Sequence, residues 1–414
     1  MLWDVVFMKC DVLIVGAGPA GSGAAKAAAE NGAKTICIDK KLVIGLPVEC
    51  GEAVGLGLPK EFGIKIAPEA ICMKHKGTVF WANQEVKIDN CSPIWKSMSV
   101  NRHIMDKSFA IDAARSGAKV LVNSELIDSE IEDKIIKSVT VSHKGYEISI
   151  IPKIVIAADG INSKIAEMLG RRKFKDIEIG KVAGYEMTNL NLREKNKIQM
   201  FFEEMCGMGY GYIIPKSRDS ANVGFGSLGI KKAPWDAFND FLEEHPIVAP
   251  QVKHASIIEV KSGEAPISGP LSDSYLGNAM FVGDAAGQNL SHVGEGAVPS
   301  HICGRIAGKI AADVVKSKNI QNISIYPKMI NDALGPLFNH CDSIRENIIK
   351  IWTSKLPVEK RFLIGTVLVS ELIPPNNKEL LDRFERIDVS DVVNETSLLI
   401  RKENIEANIT SNQF

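Results

Sequence analysis

The sequence predicts a mixed α/β fold: a nucleotide-binding α/β domain assembled from separated stretches of chain, an antiparallel sheet domain inserted into it, and a helical C-terminal region. Three observations predict it. An apolar strand run, a glycine turn and an alanine-rich helix open the chain in "DVLIVGAGPAGSGAAKAAAENGAKTICIDK". Strand–glycine–helix units return in "KIVIAADGINSKI" and "AMFVGDAAGQNLSHVGEGAVPS". Between these two units, from about 176 to 264, strand-like runs such as "KIQMFFEE", "GYGYIIPK" and "ANVGFGSLG" are separated by turn residues.

Residues 12 to 15 form a continuous apolar run, as a parallel strand buried on both faces requires. Gly16-Ala17-Gly18-Pro19-Ala20-Gly21 follows. In such a turn the first glycine permits the bend, the second lets a pyrophosphate approach the backbone, and the third lets helix and strand pack closely. The helix N-terminus offers free N–H groups and a positive dipole end to that anion. Asn31-Gly32 ends the helix, residues 35 to 38 make the next strand, and Asp39 stands at its end, spaced to bond a ribose hydroxyl. The motif predicts a dinucleotide cofactor.

Residues 40 to 60 form a loop region rich in Gly and Pro that contains "GLPVECGEAVG". Short strands are expected over 70 to 100, then a helix and strand, then an alternating meander over 120 to 150. Asp159-Gly160 is the second signature; its carboxylate either serves a cofactor or caps a helix with Ser163 in its first turn. The third is "FVGDAAGQNLSHVGEGA", where Asp284 can accept from a ribityl or ribose hydroxyl and a helix beginning near Gly296 would direct its N-terminus at an isoalloxazine ring. One helix is expected near Trp235 to Glu244, and the chain from about 323 is mostly helical. The expected division is a nucleotide-binding domain over 1–75, 98–175 and 265–322, a substrate domain over 76–97 and 176–264, and a C-terminal helical region over 323–414.

Hydrophobic residues are 45% and charged residues 24% of 414, the mixture of a globular protein of two or more domains. A net charge of -1 leaves no field to hold nucleic acid. The eight cysteines are scattered without metal-ligand spacing, so no metal is expected; with no visible secretory signal they read as reduced thiols of a cytoplasmic protein. Met8 is a second candidate start. No apolar run has transmembrane length, and the longest, over 362–375, is interrupted by Glu371. The apolar segments 348–352 and 362–372 suit either peripheral membrane contact or core packing.

Together the three glycine signatures resemble the flavoproteins of the p-hydroxybenzoate hydroxylase type, over most of residues 9 to 315. The resemblance implies a Rossmann-like domain binding FAD through Gly16, Gly18, Gly21, Asp39, Arg102, Asp159 and Asp284, with Arg102 opening a helix beside the cofactor. Pro19, Ala20, Lys40, Cys50, Gly51, Gly294 and Gly296 complete the expected cofactor contacts.

Within that family, "PVECGEAVG" is similar to the PxxCGE-type loop of the archaeal geranylgeranyl reductases, which saturate double bonds in the isoprenoid chains of ether lipids. "GYGYIIPKS" lines up with their YxWxFPK element: Tyr210, Pro215 and Lys216 match, while Tyr212 stands where Trp is usual and Ile214 where Phe is usual. "GDAAGQNLSHVGEGA" is similar to their GDAAG…P…GEG run, with Ser291 or His292 in the place of Pro. The resemblance implies an isoprenoid lipid substrate met by Tyr210, Tyr212 and Pro215. Met200, Phe201, Met205 and Met208 are further candidate linings, since Met and aromatic residues adapt to a long flexible chain.

The chemistry such a substrate needs is restrictive. An isolated alkene has no carbonyl to take up charge, so hydride delivered from reduced flavin N5 to one carbon requires an acid to protonate the other. Cys50 is the candidate donor or relay, a small and nearly apolar thiol expected to stand over the flavin's reactive face. Glu52 and His292 are its rivals. No second GxGxxG unit is present, so the electron donor is expected to be external: a ferredoxin, a reduced deazaflavin or free NAD(P)H. Three other readings share the cofactor signatures: a monooxygenase acting on an aromatic or polyprenyl compound, an electron-transfer flavoprotein reducing quinone, and a non-catalytic lipid binder. The wide separation of Cys206, Cys303 and Cys341 argues against the cluster that the quinone reductant often carries.

Overall fold

The computed structural model describes residues 6–84, 86–372 and 386; the rest of the expected C-terminal helical region lies outside the described residues. The chain divides into two compact units. The first comprises Arg102–Lys175, Ala265–Asn339 and the described residues up to Val48; the second comprises Glu49–Asn101, Asp176–Glu264 and the described residues from His340. This division differs from the sequence expectation in three places, the smallest being residues 98–101, which fall in the second unit. Residues 49–75 join the second unit because strands Ala53–Gly55 and Ile71–His75 both pair with Ser97–Val100. Among the described residues the C-terminal helices form no third unit: residues up to Asn339 join the first unit and those from His340 the second.

The first unit is built on a sheet in the order Tyr275–Leu276, Ala279–Phe281, Tyr146–Ala157, Val6–Val15, Thr35–Ile38, Lys119–Leu121. All its pairings from Ala279–Phe281 to Lys119–Leu121 are parallel, which explains the unbroken apolar runs. Ser124–Glu132 and Ile135–His143 extend Tyr146–Ala157 as an antiparallel meander. Helix Pro19–Glu30 packs on helix Ala297–Ser317 at very short range. A Cβ on Gly304 or Gly308 would fall 2.0 Å from the Ala20 carbonyl oxygen or 2.2 Å from that of Ala24. The alanine richness of the first helix is thus an interface requirement.

The second unit carries a seven-stranded sheet in the order Ser256–Pro266, Ile179–Thr188, Ala221–Leu228, Gly209–Pro215, Ile198–Phe202, Thr78–Ala82, Val86–Asn90. Successive side chains alternate between its faces. One face presents Trp81, Phe201, Ile213 and Phe225 to Phe238 and Phe241 of helix Trp235–Glu244, and this is a closed core. The other carries Phe80, Phe202 and Tyr210, with Met200 opposite Tyr212. Phe201 therefore belongs to the core cluster, a correction to its expected place among the substrate linings, and the half-buried Met205 packs against that cluster. Met208 lies against Gly229, whose added Cβ would fall 3.3 Å from its Cε.

Trp352 and Phe362 continue the aromatic row from Phe202. Ile348, Ile351, Leu363, Ile364, Val367 and Leu368 are all buried. The segments 348–352 and 362–372 are accordingly core packing, which removes them as candidates for membrane contact. Among the described residues, no helix is long and apolar enough to cross a membrane.

Candidate active site

The glycine turn of the first unit separates three steric roles. Gly16 has φ +97°, and a Cβ there would fall 2.3 Å from the Ala158 carbonyl oxygen. A Cβ on Gly21 would fall 1.8 Å from the Gly16 carbonyl oxygen, so helix and strand touch there. Gly18, the N-cap residue of helix Pro19–Glu30, is the exception: a Cβ on it would meet no protein atom within 4 Å. That open space before a helix N-terminus fits a pyrophosphate. Pro19 and Ala20 form the first helical turn.

Asp39 closes the turn from the neighbouring strand. Its Oδ2 accepts from the Ala17 N–H at 2.7 Å and its Oδ1 from the Lys41 N–H at 2.8 Å. Each oxygen keeps a further lone pair for a ribose hydroxyl. Lys40 beside it is exposed. Asp159 behaves as a helix cap: Oδ2 accepts from the Lys164 N–H at 2.8 Å, while Ser163 accepts from Ala166. Its Oδ1 is buried and, among the described residues, has no hydrogen-bond partner. Burial raises the Asp159 pKa.

Arg102 opens helix Arg102–Arg115 and grips Asp106 with two bonds of 2.9 Å, Nε to Oδ1 and Nη2 to Oδ2. Asp284 follows strand Ala279–Phe281. Burial pushes its carboxyl up to about 6, against the pull of the Arg102 charge. A Cβ on Gly296, the N-cap of helix Ala297–Ser317, would stand 3.4 Å from Asp284 Oδ1. Gly294 has φ +72° with open space about it, and His292 is half-buried in the same loop. An unspent carboxyl, an orphaned Asp159 oxygen and a cradle at Gly18 suit a dinucleotide with a polyhydroxylated linker.

The second unit holds Cys50 and Glu52. Glu49 packs on strand Ser256–Pro266, where a Cβ on Gly263 would fall 2.8 Å from its carbonyl oxygen. Cys50 is half-buried, and its Sγ accepts from the Glu52 N–H at 3.2 Å. Gly51 lies against Ile214 and the Tyr212 ring. That ring crosses the sheet over two glycines: a Cβ on Gly224 would fall 2.1 Å from the Tyr212 hydroxyl oxygen, and one on Gly184 would fall 3.4 Å from it. Burial, and then the neighbouring Cys50, Tyr210 and Glu52, raise the phenol's pKa, so Tyr212 stays neutral.

Glu52 is the centre of a buried ionic cluster. Its Oε2 accepts from Lys216 and Lys261 at 2.7 Å each and from Asn222 at 2.9 Å. Lys216 also reaches Glu186 at 2.7 Å, and Lys261 reaches Glu259 at 3.3 Å. Burial alone would raise the Glu52 pKa; the Lys261 and Lys216 ammonium groups outweigh it and hold the carboxyl at about 2. A carboxylate so held carries no proton at neutral pH, which argues against Glu52 as the acid. His75 fixes the end of the Tyr212 strand: its Nε2 donates to the Pro215 carbonyl at 2.8 Å and its Nδ1 lies 2.9 Å from Ser97 Oγ. Burial lowers the His75 pKa.

Lys261, Asn222 and Glu186 were not singled out in the sequence. Their signal is a charged or amide side chain on a strand, whose meeting with Glu52 is visible only once the strands are registered.

Residues 11–162 match the family model described as FAD dependent oxidoreductase, and residues 176–265 match that described as geranylgeranyl reductase catalytic domain. A mutant of halogenase PltM, crystallised in complex with FAD, shares the fold alone, with TM-score 0.66 at 13% identity over 96% of each chain. The fold and the glycine signatures thus define an FAD-dependent oxidoreductase. A digeranylgeranylglycerophospholipid reductase of Methanococcus aeolicus is 42% identical over 317 residues, 76% of this chain and 80% of the relative. Digeranylgeranylglycerophospholipid reductase 1 of Methanothermobacter thermautotrophicus is 31% identical over 402 residues, 91% and 98% of the two chains. A geranylgeranyl bacteriochlorophyll reductase-like protein from Thermoplasma acidophilum matches with TM-score 0.80 at 26% identity, covering 95% of this chain and 100% of its own. The chain belongs to the digeranylgeranylglycerophospholipid reductase family.

Proposed function

We propose that this protein saturates the carbon–carbon double bonds of geranylgeranyl chains in an archaeal-type ether phospholipid precursor. The observation that supports this most strongly is full-length kinship with reductases of that name, together with the catalytic-domain match over 176–265. FAD, when bound and reduced, supplies a hydride equivalent. Gly16, Gly18, Gly21, Asp39, Arg102, Asp159, Asp284 and Gly296 are the residues proposed to hold it, with Pro19, Ala20, Lys40 and Gly294 flanking them.

The chain's own part is to supply the proton and keep water away. The Cys50 S–H bond breaks as a C–H bond forms at one alkene carbon, while the hydride pair goes to the other. The thiolate regains a proton from solvent between turnovers. Glu52 is ionised, so it orients and does not donate. His292 remains the alternative donor. Tyr210, which is half-buried, and the buried Met200, Tyr212 and Pro215 are the residues proposed to line the isoprenoid site. Electrons come from an external ferredoxin, deazaflavin or NAD(P)H, and lipid access is by peripheral membrane contact. Anaerobic incubation of the reduced protein with unsaturated ether phospholipid should add the mass of two hydrogens per double bond. Addition of one oxygen atom under air would favour a monooxygenase instead.

A further inference from the structure

Cys50, Gly51 and Glu52 form a turn held from the side-chain end. Asn222 Nδ2 donates at 2.9 Å to both the Gly51 carbonyl and Glu52 Oε2. The Glu52 carbonyl accepts from the Val100 N–H at 2.9 Å. Glu52 itself has φ +63°, a left-handed conformation that a residue with a side chain keeps only where its surroundings impose it. Here the imposing groups are Lys216, Lys261 and Asn222, all converging on one carboxylate oxygen. The conformation directs the Glu52 N–H at Cys50 Sγ, 3.2 Å away. A hydrogen bond donated to sulfur favours the thiolate over the thiol.

We infer that Asn222, Lys216 and Lys261 are positioning residues for the Cys50 thiol, acting through Glu52 to hold the turn whose N–H stabilises the thiolate left after proton transfer. The importance of this to catalysis rests on the reading of Cys50 as the proton donor; the geometry does not. Among the described residues, the charged and titratable groups around the turn are Glu52, Glu186, Glu259, Lys216, Lys261, the phenol of Tyr212 and the exposed thiol of Cys72, whose alkylation is followed alongside that of Cys50.

The test is alkylation of the full-length, FAD-bound protein with iodoacetamide across a pH series, read at Cys50 and Cys91 by peptide mass spectrometry. Cys91 is half-buried in the same unit and coupled to Asp89 and Lys197, so it is an internal control. Asn222→Leu removes both donated bonds without unpairing a charge. It should slow Cys50 alkylation about 5-fold below the midpoint of the profile, the value of one ordinary hydrogen bond, with the high-pH plateau and Cys91 unchanged. Lys261→Met should move Cys50 the same way. A Cys50 midpoint that stays put or falls in Asn222→Leu, with the buried core thiol of Cys206 still protected, overturns the inference. If Lys261→Met does not fold, Asn222→Leu decides alone. Failure of the donor reading is separate: Cys50→Ser would then turn over at the wild-type rate while the alkylation result stood.

Discussion

Glu52 Oε2 lies 2.7 Å from Lys261 Nζ, and the two side chains are 1% and 2% exposed. Taking both charges out of water is costly, and the contact repays it only because Lys216 and Asn222 satisfy the same oxygen. A cluster of this kind is a weak source of stability in itself, but it leaves Glu52 a single orientation.

Acid should reveal it. The folded pKa of Glu52 is about 2, against 4.5 for the free group. A carboxyl depressed on folding contributes stability that is present above its unfolded value and lost as pH falls through the folded one. The wild type should therefore lose roughly 3 kcal/mol from this group between about pH 4.5 and 2. Glu52→Gln should flatten that limb of the acid-unfolding curve, measured by circular dichroism. An identical limb would mean the cluster is not ionised as described.

Much of the first unit was legible in the sequence, because parallel strands and glycine turns write themselves as local patterns. Gly16, Gly18 and Gly21 could be assigned steric roles before any fold was known. The second unit was less legible. Phe201 and Met200 are adjacent in sequence, yet one faces the closed core and the other faces Tyr212. Only strand register decides which is which. The Lys216–Glu52–Lys261 contact joins residues more than 160 positions apart, and no local pattern predicts it. Asp159 was ambiguous between cap and ligand: one carboxylate oxygen caps the helix at Lys164, and the other is left without a partner among the described residues.

Gly18→Val should leave the fold intact and abolish FAD binding. Its Cβ would meet no protein atom within 4 Å and would enter the space proposed for the pyrophosphate. The purified variant should be colourless, with an apoprotein melting temperature equal to that of the wild-type apoprotein. A yellow variant would move the phosphate site elsewhere.

Asp284→Asn separates stability from cofactor affinity. Burial raises this carboxyl to about 6, so keeping it charged costs free energy that is full above that pH and vanishes below the unfolded value of 3.8. The apoprotein of the variant should be more stable at pH 8, by about 3 kcal/mol, and equal to the wild type near pH 3. Its affinity for FAD should fall at the same time. Calorimetry and fluorescence titration of FAD check the two halves.

Gly224→Ala tests the seat of the Tyr212 ring. A Cβ there would fall 2.1 Å from the phenol oxygen, so the ring must move. The cost should be about 1–3 kcal/mol by urea denaturation, as for other overpacked cores. In Tyr212→Ala the same glycine substitution should cost almost nothing, because the clashing atoms are gone. Additive losses would show that the ring does not lie over Gly224.

The proton donor is decided by the single-turnover rate at which unsaturated ether phospholipid reoxidises the reduced flavin under anaerobic conditions. Cys50→Ser changes one atom, and a hydroxyl is a far weaker acid than a thiol whose ordinary pKa is about 8.5. Loss of a general acid costs about 10²–10⁴-fold in rate, so the variant should bind FAD normally, accept electrons at the wild-type rate and reoxidise slower by that factor. Reoxidation of Cys50→Ser at the wild-type rate would contradict the account and pass the role to His292.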